Sequence, residues 1–361
     1  MVETTAFHTL KSLCQKYPVV ILCAPAGCGL PALARRLMPT KNYIDLENPQ
    51  TLRLAKESPR TFLMAFPDGV IIHAIDRLPQ MIDAMAYHVG KGGFTPGKYI
   101  ATTTMHIDFQ APDNRIAICN VSGLTVDDLA RRNVSVANPF QIMLSGQLPS
   151  EPESNIKNIL ERNIRRFINC SNLDLFLSFM KACAEESGDS FSANSLAKKT
   201  GISAPTAKSW LSVLEKNFII RFFCDHDGEK TAFYFCDTGI LCYLLRITSK
   251  EDLILSPHKS RVARTFAVNE LLRGRFAKAL ECNLLLGSCC NLEASWKEHY
   301  CLFIEPNIEV TEFCTNRAKY ASEDSKSLIL YLGDVTFSRD GIDCIGYRDW
   351  AKLAMQIDYF S

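Results

Sequence analysis

Residues 18 to 31 set an apolar run, Val19-Val20-Ile21-Leu22-Cys23, against a small-residue loop, Ala24-Pro25-Ala26-Gly27-Cys28-Gly29, with a helix-like stretch following from Ala32 to Leu37. That order is the outline of a phosphate-binding loop, GxxxxGK[ST]. In the working motif backbone N–H groups cradle the phosphates, a lysine reaches the terminal ones and a hydroxyl holds Mg²⁺. Here Ala24 stands in place of the first glycine, Leu30 in place of the lysine and Pro31 in place of the hydroxyl residue. Gly27, Cys28 and Gly29 could still present N–H groups at a helix N-terminus, which favours an anion. The candidate loop Ala24, Pro25, Ala26, Gly27, Cys28, Gly29, Leu30 and Pro31 is therefore expected to hold nucleotide weakly at best. No cofactor is expected, with weak ATP binding as the one exception.

The surrounding elements have the order needed to position such a loop. Asp68 to Pro79 reads as a second buried strand ending in a turn, and Gly97 to Thr104 as a third ending in hydroxyl residues. Helical stretches lie between them and beyond (Leu52 to Lys56, Gln80 to Val89, Val126 to Ala130), so the pattern predicts a parallel sheet wrapped by helices. His73, at a strand end, reads as a satisfied, half-buried histidine, because no second His or Cys sits at ligand spacing, and no metal site is expected. Asp76 reads as a turn cap. Arg115 could mimic a phosphate-sensing arginine, although a surface ion pair is the plainer use.

With these motifs in place, the chain resembles prokaryotic AAA-type ATPases that carry a C-terminal domain of unknown function with a restriction-endonuclease-like part. Their loop, roughly GPRQxGKTTL, is matched by Ala24 to Leu33. Their DEIQxxP and GxYxLTGS strands correspond to the second and third strands here. Tyr43 to Pro49 and Ser58 to Leu63 look like their YxxLDxP and DPxxFL stretches, and Asn114-Arg115 falls where they have Gly-Arg. The resemblance implies that the Mg²⁺-orienting acid falls on His73 and the water-activating Glu on Ala74. Neutral imidazole is a poor ligand for a hard, oxygen-seeking ion, and a methyl group accepts no proton. Phosphoryl transfer rests on positioning and charge neutralisation, and each such loss costs several kcal/mol of transition-state stabilisation, so ATP turnover is not expected.

Downstream, Ser192 to Ile202 reads as a short helix closed by Gly201, Ser203-Ala204-Pro205-Thr206 caps a second helix from Ala207 to Asn217, and Phe218 to Cys224 reads as a strand. This helix-turn-helix with a wing resembles the family's SLAxxxGIS…TxxxWLxxLExxxII stretch. In a DNA reader Lys198, Lys199, Thr206, Lys208 and Ser209 would face the duplex, but so few cations give weak, salt-sensitive contact. Tyr234 to Ile240 and Phe266 to Leu272 resemble the family's YFxDxGL and FVxxEL. In relatives the last domain resembles nucleases. Their EVD would fall on Glu293-Ala294-Ser295 and their E-x-K on Glu309-Val310-Thr311, with Arg264 in another acidic slot, so the resemblance implies a silent site. Glu270, Glu293 and Glu309 are the glutamates left there, and they are expected to face solvent.

Composition bounds the rest. The 361 residues are 47% hydrophobic and 22% charged, enough for two or three domains, and a net charge of +1 supplies no global field toward nucleic acid or membrane. The fifteen cysteines, odd in number and without a C-x-x-C, read as reduced, core-type thiols. No signal peptide or membrane-spanning run is visible, which fits a cytoplasmic protein. Two prolines and polar residues break the periodicity over 147 to 155. The expected organisation is an α/β P-loop NTPase-like domain over 1–150, a helical winged-helix domain over 151–250 and an α+β endonuclease-like domain over 251–361. The expected role is a catalytically degenerate binding or regulatory protein that recognises a protein partner or DNA. The alternative is an ATP-binding ATPase whose noncanonical loop needs a partner in trans.

Overall fold

The computed structural model describes residues 4–107, 115–121, 123–148, 152–159, 164–166, 173–225, 227–277, 283–287, 290–295, 299–319 and 326–356. Asn114 and the stretch 149–151 lie outside them. The chain divides into two compact units, one of Glu3–Ser122 with Lys216–Phe218, the other of Met1–Val2, Gly123–Glu215 and Ile219–Ser361. This division falls upstream of the proline-bearing stretch 147–155.

The first unit is α/β. Strands β1 (Val19–Cys23), β2 (Asn42–Asp45), β3 (Val70–His73), β4 (Tyr99–Thr103) and β5 (Ile116–Asn120) form a sheet in the order β2-β3-β4-β1-β5. Every pairing in it is parallel. All five residues of β1 are buried, the expected state for a central strand covered on both faces, and this explains its unbroken apolar composition. Helices Leu30–Leu37 and Gln80–Lys91 turn Leu30, Ala34, Leu37, Met81, Ile82 and Met85 inward. Asn48 caps helix Pro49–Glu57 by accepting from the amides of Gln50 and Thr51, and Ser58 does the same for Thr61 at the head of Pro59–Met64. Both caps stand before a proline at the first helical position, where a missing N–H costs nothing. Gly69 has φ +89, and a Cβ there would sit 1.7 Å from the Lys98 carbonyl oxygen, so the entry to β3 tolerates glycine alone.

Chain connections run from β1 to one side of the sheet and from β4 across β1 to β5. The loop after β1 therefore lies at the crossover, at the carboxyl ends of the strands, where open α/β sheets receive ligands.

In the second unit, helix Ala193–Thr200 ends at Gly201, whose φ of 70 is left-handed. Helix Ala204–Lys216 follows, its first amides met by Ser203, which accepts from Thr206 N. Strands β6 (Ile220–Cys224) and β7 (Lys230–Phe235) then pair antiparallel. Beyond them a six-stranded mixed sheet has the order β12-β13-β11-β10-β9-β8, built from β8 (Asn283–Leu286), β9 (Leu292–Ser295), β10 (His299–Glu305), β11 (Lys326–Tyr331), β12 (Phe337–Arg339) and β13 (Ile342–Gly346). Its centre, β10-β11-β13, is parallel and its margins are antiparallel. The 19-residue helix Lys259–Ala277 supplies the second unit with its main buried polar anchors.

Burial pushes the thiols of Cys14 and Cys344 up to about 11 and those of Cys23, Cys119 and Cys242 up to about 12. A thiol in that range is a small apolar core residue rather than a nucleophile.

Asp189 joins two parts of the second unit. Its carboxylate accepts from Arg261 Nη2 at 2.8 Å and Arg264 Nη2 at 2.6 Å, while the same guanidiniums donate to the carbonyls of Ser187 and Gly188. Partial burial works to raise the Asp189 pKa, but the two arginines overcome it and hold the carboxyl below its ordinary value. Stability from this clamp is thus present above the unfolded-state pKa and lost as pH falls through the lower folded-state value. Asp189→Asn is expected to cost about 1–1.5 kcal/mol at pH 7, the usual worth of charged hydrogen bonds discounted for exposure. In urea titrations the gap between parent and variant should close below pH 4.

Candidate functional site

The loop from Ala24 to Pro31 is a strand-to-helix turn, and two of its six amides are committed to carbonyls of the protein. Ala24 N donates to Thr103 O at 3.1 Å and Cys28 N to Pro25 O at 3.3 Å. Pro25 and Pro31 have no N–H to offer. Gly27 and Gly29 carry the turn with φ of 92 and 72, and Gly29 is the N-cap of helix Leu30–Leu37. Leu30, where a phosphate-binding loop has its lysine, is 2% exposed and belongs to the buried face of that helix. The cations that follow it are engaged with rings: the Arg35 guanidinium lies 3.8 Å from the Tyr43 ring centre and that of Arg36 4.6 Å from Phe7. This turn has the shape of an anion cradle without the lysine and the hydroxyl that would complete it.

At the ends of the neighbouring strands, His73 is half-buried and its Nδ1 lies 2.6 Å from Thr102 Oγ1. Its ring stacks on Tyr43 with centres 6.3 Å apart and planes 22° from parallel. Ala74 stands in the left-handed region with φ 57 and so ends the strand sharply. Asp76, expected as a turn cap, sits in a short 3-10 turn, Ile75–Arg77, and accepts from Thr103 Oγ1 at 3.1 Å.

Sequence spacing gave no hint that two carboxylates approach the histidine. Asp45 and His73 are register partners across β2 and β3, and one ligand atom each from Asp45, Glu47 and His73 lie within 4.8 Å of one another.

The phosphate-sensing option for Arg115, already the less plain of its two uses, does not fit its place in the sheet. The residue immediately precedes β5, and β5 is parallel to β1, so Arg115 stands at the opposite end of the sheet from the loop, roughly five residues or 16 Å of strand away. Its Nη1 would lie 2.6 Å from a Cβ built at Gly90, so its side chain runs over the last turn of helix Gln80–Lys91.

Among the residues expected to face DNA, Lys198, Lys208 and Ser209 are exposed. Lys199 is exposed as well but donates to Glu186 Oε1 at 2.7 Å, and that hydrogen bond raises its pKa. Thr206 shares a hydroxyl hydrogen bond with Ser203 at 2.8 Å. The β6–β7 turn is acidic: Asp225 Oδ1 accepts from the amides of Asp227 and Glu229, both at 3.0 Å.

The three glutamates left in the last part of the chain do not share one environment. Glu270 is fully buried, accepting from Val126 N at 3.2 Å and from Gln147 Nε2, which corrects the expectation that it faces solvent. Glu309 is exposed on a bend and Glu293 is half-buried on β9. Arg264 belongs to the Asp189 clamp. Among the described residues only Asp45, Glu47 and His73 form a group of metal-type ligands at this spacing.

Residues 150–251 match a family described as a domain of unknown function, DUF8612. Among solved structures the chain is similar to a Walker-type ATPase of Pyrococcus abyssi, at 16% identity and a TM-score of 0.42 over 67% of this chain and 95% of that one. It is also similar to a signal-transduction ATPase with a tetratricopeptide-repeat sensor from Pyrococcus horikoshii, at 12% identity and a TM-score of 0.30 over 78% of this chain and 48% of that one. A third is RuvB of Thermotoga maritima, at 14% identity and a TM-score of 0.28 over 64% of this chain and 88% of that one. A search of curated proteins finds no match. No helix among the described residues is long and apolar enough to cross a membrane.

Proposed function

We propose that this chain is a catalytically degenerate relative of the AAA-type ATPases that works as a binding or regulatory protein, recognising a protein partner. The observation that carries the reading is the state of the Ala24–Pro31 turn. Its lysine position is a leucine 2% exposed, two of its residues lack N–H groups, and the amides of Ala24 and Cys28 are spent on carbonyls of the protein. Nothing in that set neutralises a triphosphate, which is what phosphoryl transfer demands.

A protein partner is favoured over DNA on two counts. A duplex approaching the helix-turn-helix and wing would meet Lys198 and Lys208 but also the acidic turn of Asp225, Asp227 and Glu229, so attraction and repulsion offset each other. In the six-stranded unit Ile308, Phe313, Val335 and Phe337 are exposed apolar side chains, the composition of a recognition surface rather than a nucleic-acid face.

Titration of the purified chain with Mg-ATP tests the reading. The expected result is no turnover above the buffer blank and no saturation below about millimolar nucleotide, roughly 4 kcal/mol of binding or less. Saturable micromolar binding, or hydrolysis by the chain alone, would favour the alternative of an ATP-binding member completed in trans. On a DNA column the chain is expected to elute below about 200 mM salt, as befits the few phosphate contacts available.

A further inference from the structure

We infer that Asp45, Glu47 and His73 form a binding site for a divalent transition-metal ion of the Zn²⁺, Co²⁺ or Mn²⁺ class. In the parallel ladder Asp45 pairs with His73 and His73 with Thr102, so these three side chains stand in one row on one face, at the carboxyl ends of β2, β3 and β4. Two residues past Asp45 the chain turns back on itself. Glu47 N donates to Asp45 Oδ1 at 2.8 Å, and Leu46 N donates to His73 O at 3.1 Å, which ties the turn to the end of β3. The result is one imidazole and two carboxylates with ligand atoms within 4.8 Å of one another.

The histidine is oriented as a ligand requires. Thr102 Oγ1 holds Nδ1 at 2.6 Å, leaving Nε2 to coordinate, and the Tyr43 ring fixes the imidazole plane by stacking. A hydrogen bond on the far nitrogen is the usual outer support of a metal-bound histidine. Two carboxylates carry a charge of −2 and Arg77 Nη2 lies 3.8 Å from Glu47 Oε1, so with one arginine counted the cluster still carries a net negative charge for a dication to meet. Donors around a tetrahedral ion stand roughly 3.4 Å apart, given metal–ligand bonds of about 2.0–2.2 Å. Closing that difference asks for a rotation of the exposed Glu47 side chain. A nitrogen with two oxygens selects borderline ions over Mg²⁺ or Ca²⁺, which take oxygen alone. The histidine that fails as a ligand for a nucleotide's Mg²⁺ thus becomes the selective element of a different site. This inference does not rest on the reading of the loop, and its test uses no nucleotide.

The test is titration of the purified full chain with Co²⁺ and with Mn²⁺, read by visible absorption and by electron paramagnetic resonance. These probes separate nitrogen and oxygen coordination from the chain's many thiols. The expected result is one equivalent of Co²⁺ with weak d–d bands and no thiolate charge-transfer band, one competing equivalent of Mn²⁺, and no displacement by a hundredfold excess of Mg²⁺. Asp45→Asn and Glu47→Gln should each weaken Co²⁺ at least tenfold. Thr102→Val, which keeps the buried shape and removes only the support of Nδ1, should weaken it about tenfold. Circular dichroism and the urea midpoint of each apo variant show that it is folded. Absence of stoichiometric Co²⁺, a thiolate band, or unchanged affinity in folded Asp45→Asn would overturn the site.

Discussion

Leu30→Lys is expected to lower the stability of the first unit by about 3–5 kcal/mol, seen as a fall in the urea midpoint at unchanged slope. The position is 2% exposed on the inward face of helix Leu30–Leu37, so the substitution withdraws a leucine from the core and puts an ammonium in its place. Losing the leucine's burial costs about 1.5–3 kcal/mol, and the unpaired charge adds the rest. Helix Leu30–Leu37 has no acid in its first turn to answer that charge. Nucleotide supplies a second arm. In a working cradle a triphosphate would pair with the new lysine and restore the midpoint, but here the amides of Ala24 and Cys28 are committed elsewhere, the two prolines have no N–H and no hydroxyl follows to hold Mg²⁺. Millimolar Mg-ATP is therefore expected to leave the variant's midpoint where it is. Rescue of several kcal/mol by ATP would show that the turn still faces a phosphate and would sink the degenerate reading.

Arg273→Met is expected to cost the second unit a similar amount, about 3–5 kcal/mol at pH 8, because it strands a buried carboxylate. Glu270 is fully buried, with Arg273 Nη1 3.6 Å from its Oε1. Arg273 also donates to Gln147 Oε1 and to Cys236 O, so one guanidinium ties helix Lys259–Ala277 to two other segments. Burial raises the Glu270 pKa, and Arg273 pulls it back part of the way. A raised carboxyl contributes stability that is complete below the unfolded pKa and is lost as pH rises through the folded one. Removal of Arg273 raises the folded value further, so the variant's deficit should be smaller at pH 5 than at pH 8. Adding Glu270→Gln should recover part of the loss at pH 8 by removing the stranded charge. A deficit under about 1 kcal/mol in the single variant would mean that the pair is hydrated and not a structural anchor.

Local pattern made some parts of this architecture readable and not others. The apolar run at Val19–Cys23 is a strand with the bounds its composition suggests, and Gly201 ends its helix in the left-handed conformation that only glycine enters at no cost. Helix Leu30–Leu37 begins two residues earlier than its apolar spacing indicates, because Pro31 is accommodated in a first turn that needs no N–H from it. What spacing could not reveal is lateral. Asp45, His73 and Thr102 are 28 and 29 residues apart along the chain and become neighbours only through strand order. Glu270 reads as a solvent-facing acid until the amide of Val126, 144 residues away, is brought onto it. That same long-range contact draws helices Val126–Arg131 and Pro139–Ser145 into the second unit, across a boundary that composition alone sets further along. The phosphate-sensing option for Arg115 falls away for the related reason that a motif gives a residue's place in the chain but not which end of the sheet it occupies.

The sheltered sulfurs give the molecule a native clock. With thiols pushed to about 11 or 12, Cys23 and Cys119 in one unit and Cys242 and Cys344 in the other exist as thiolate in about one part in ten thousand or less near neutrality. An alkylating reagent reaches them only when the surrounding packing opens, so the rate at which each sulfur is capped measures the opening of its own neighbourhood. The breathing of the two units can accordingly be timed separately, without introducing a reporter residue.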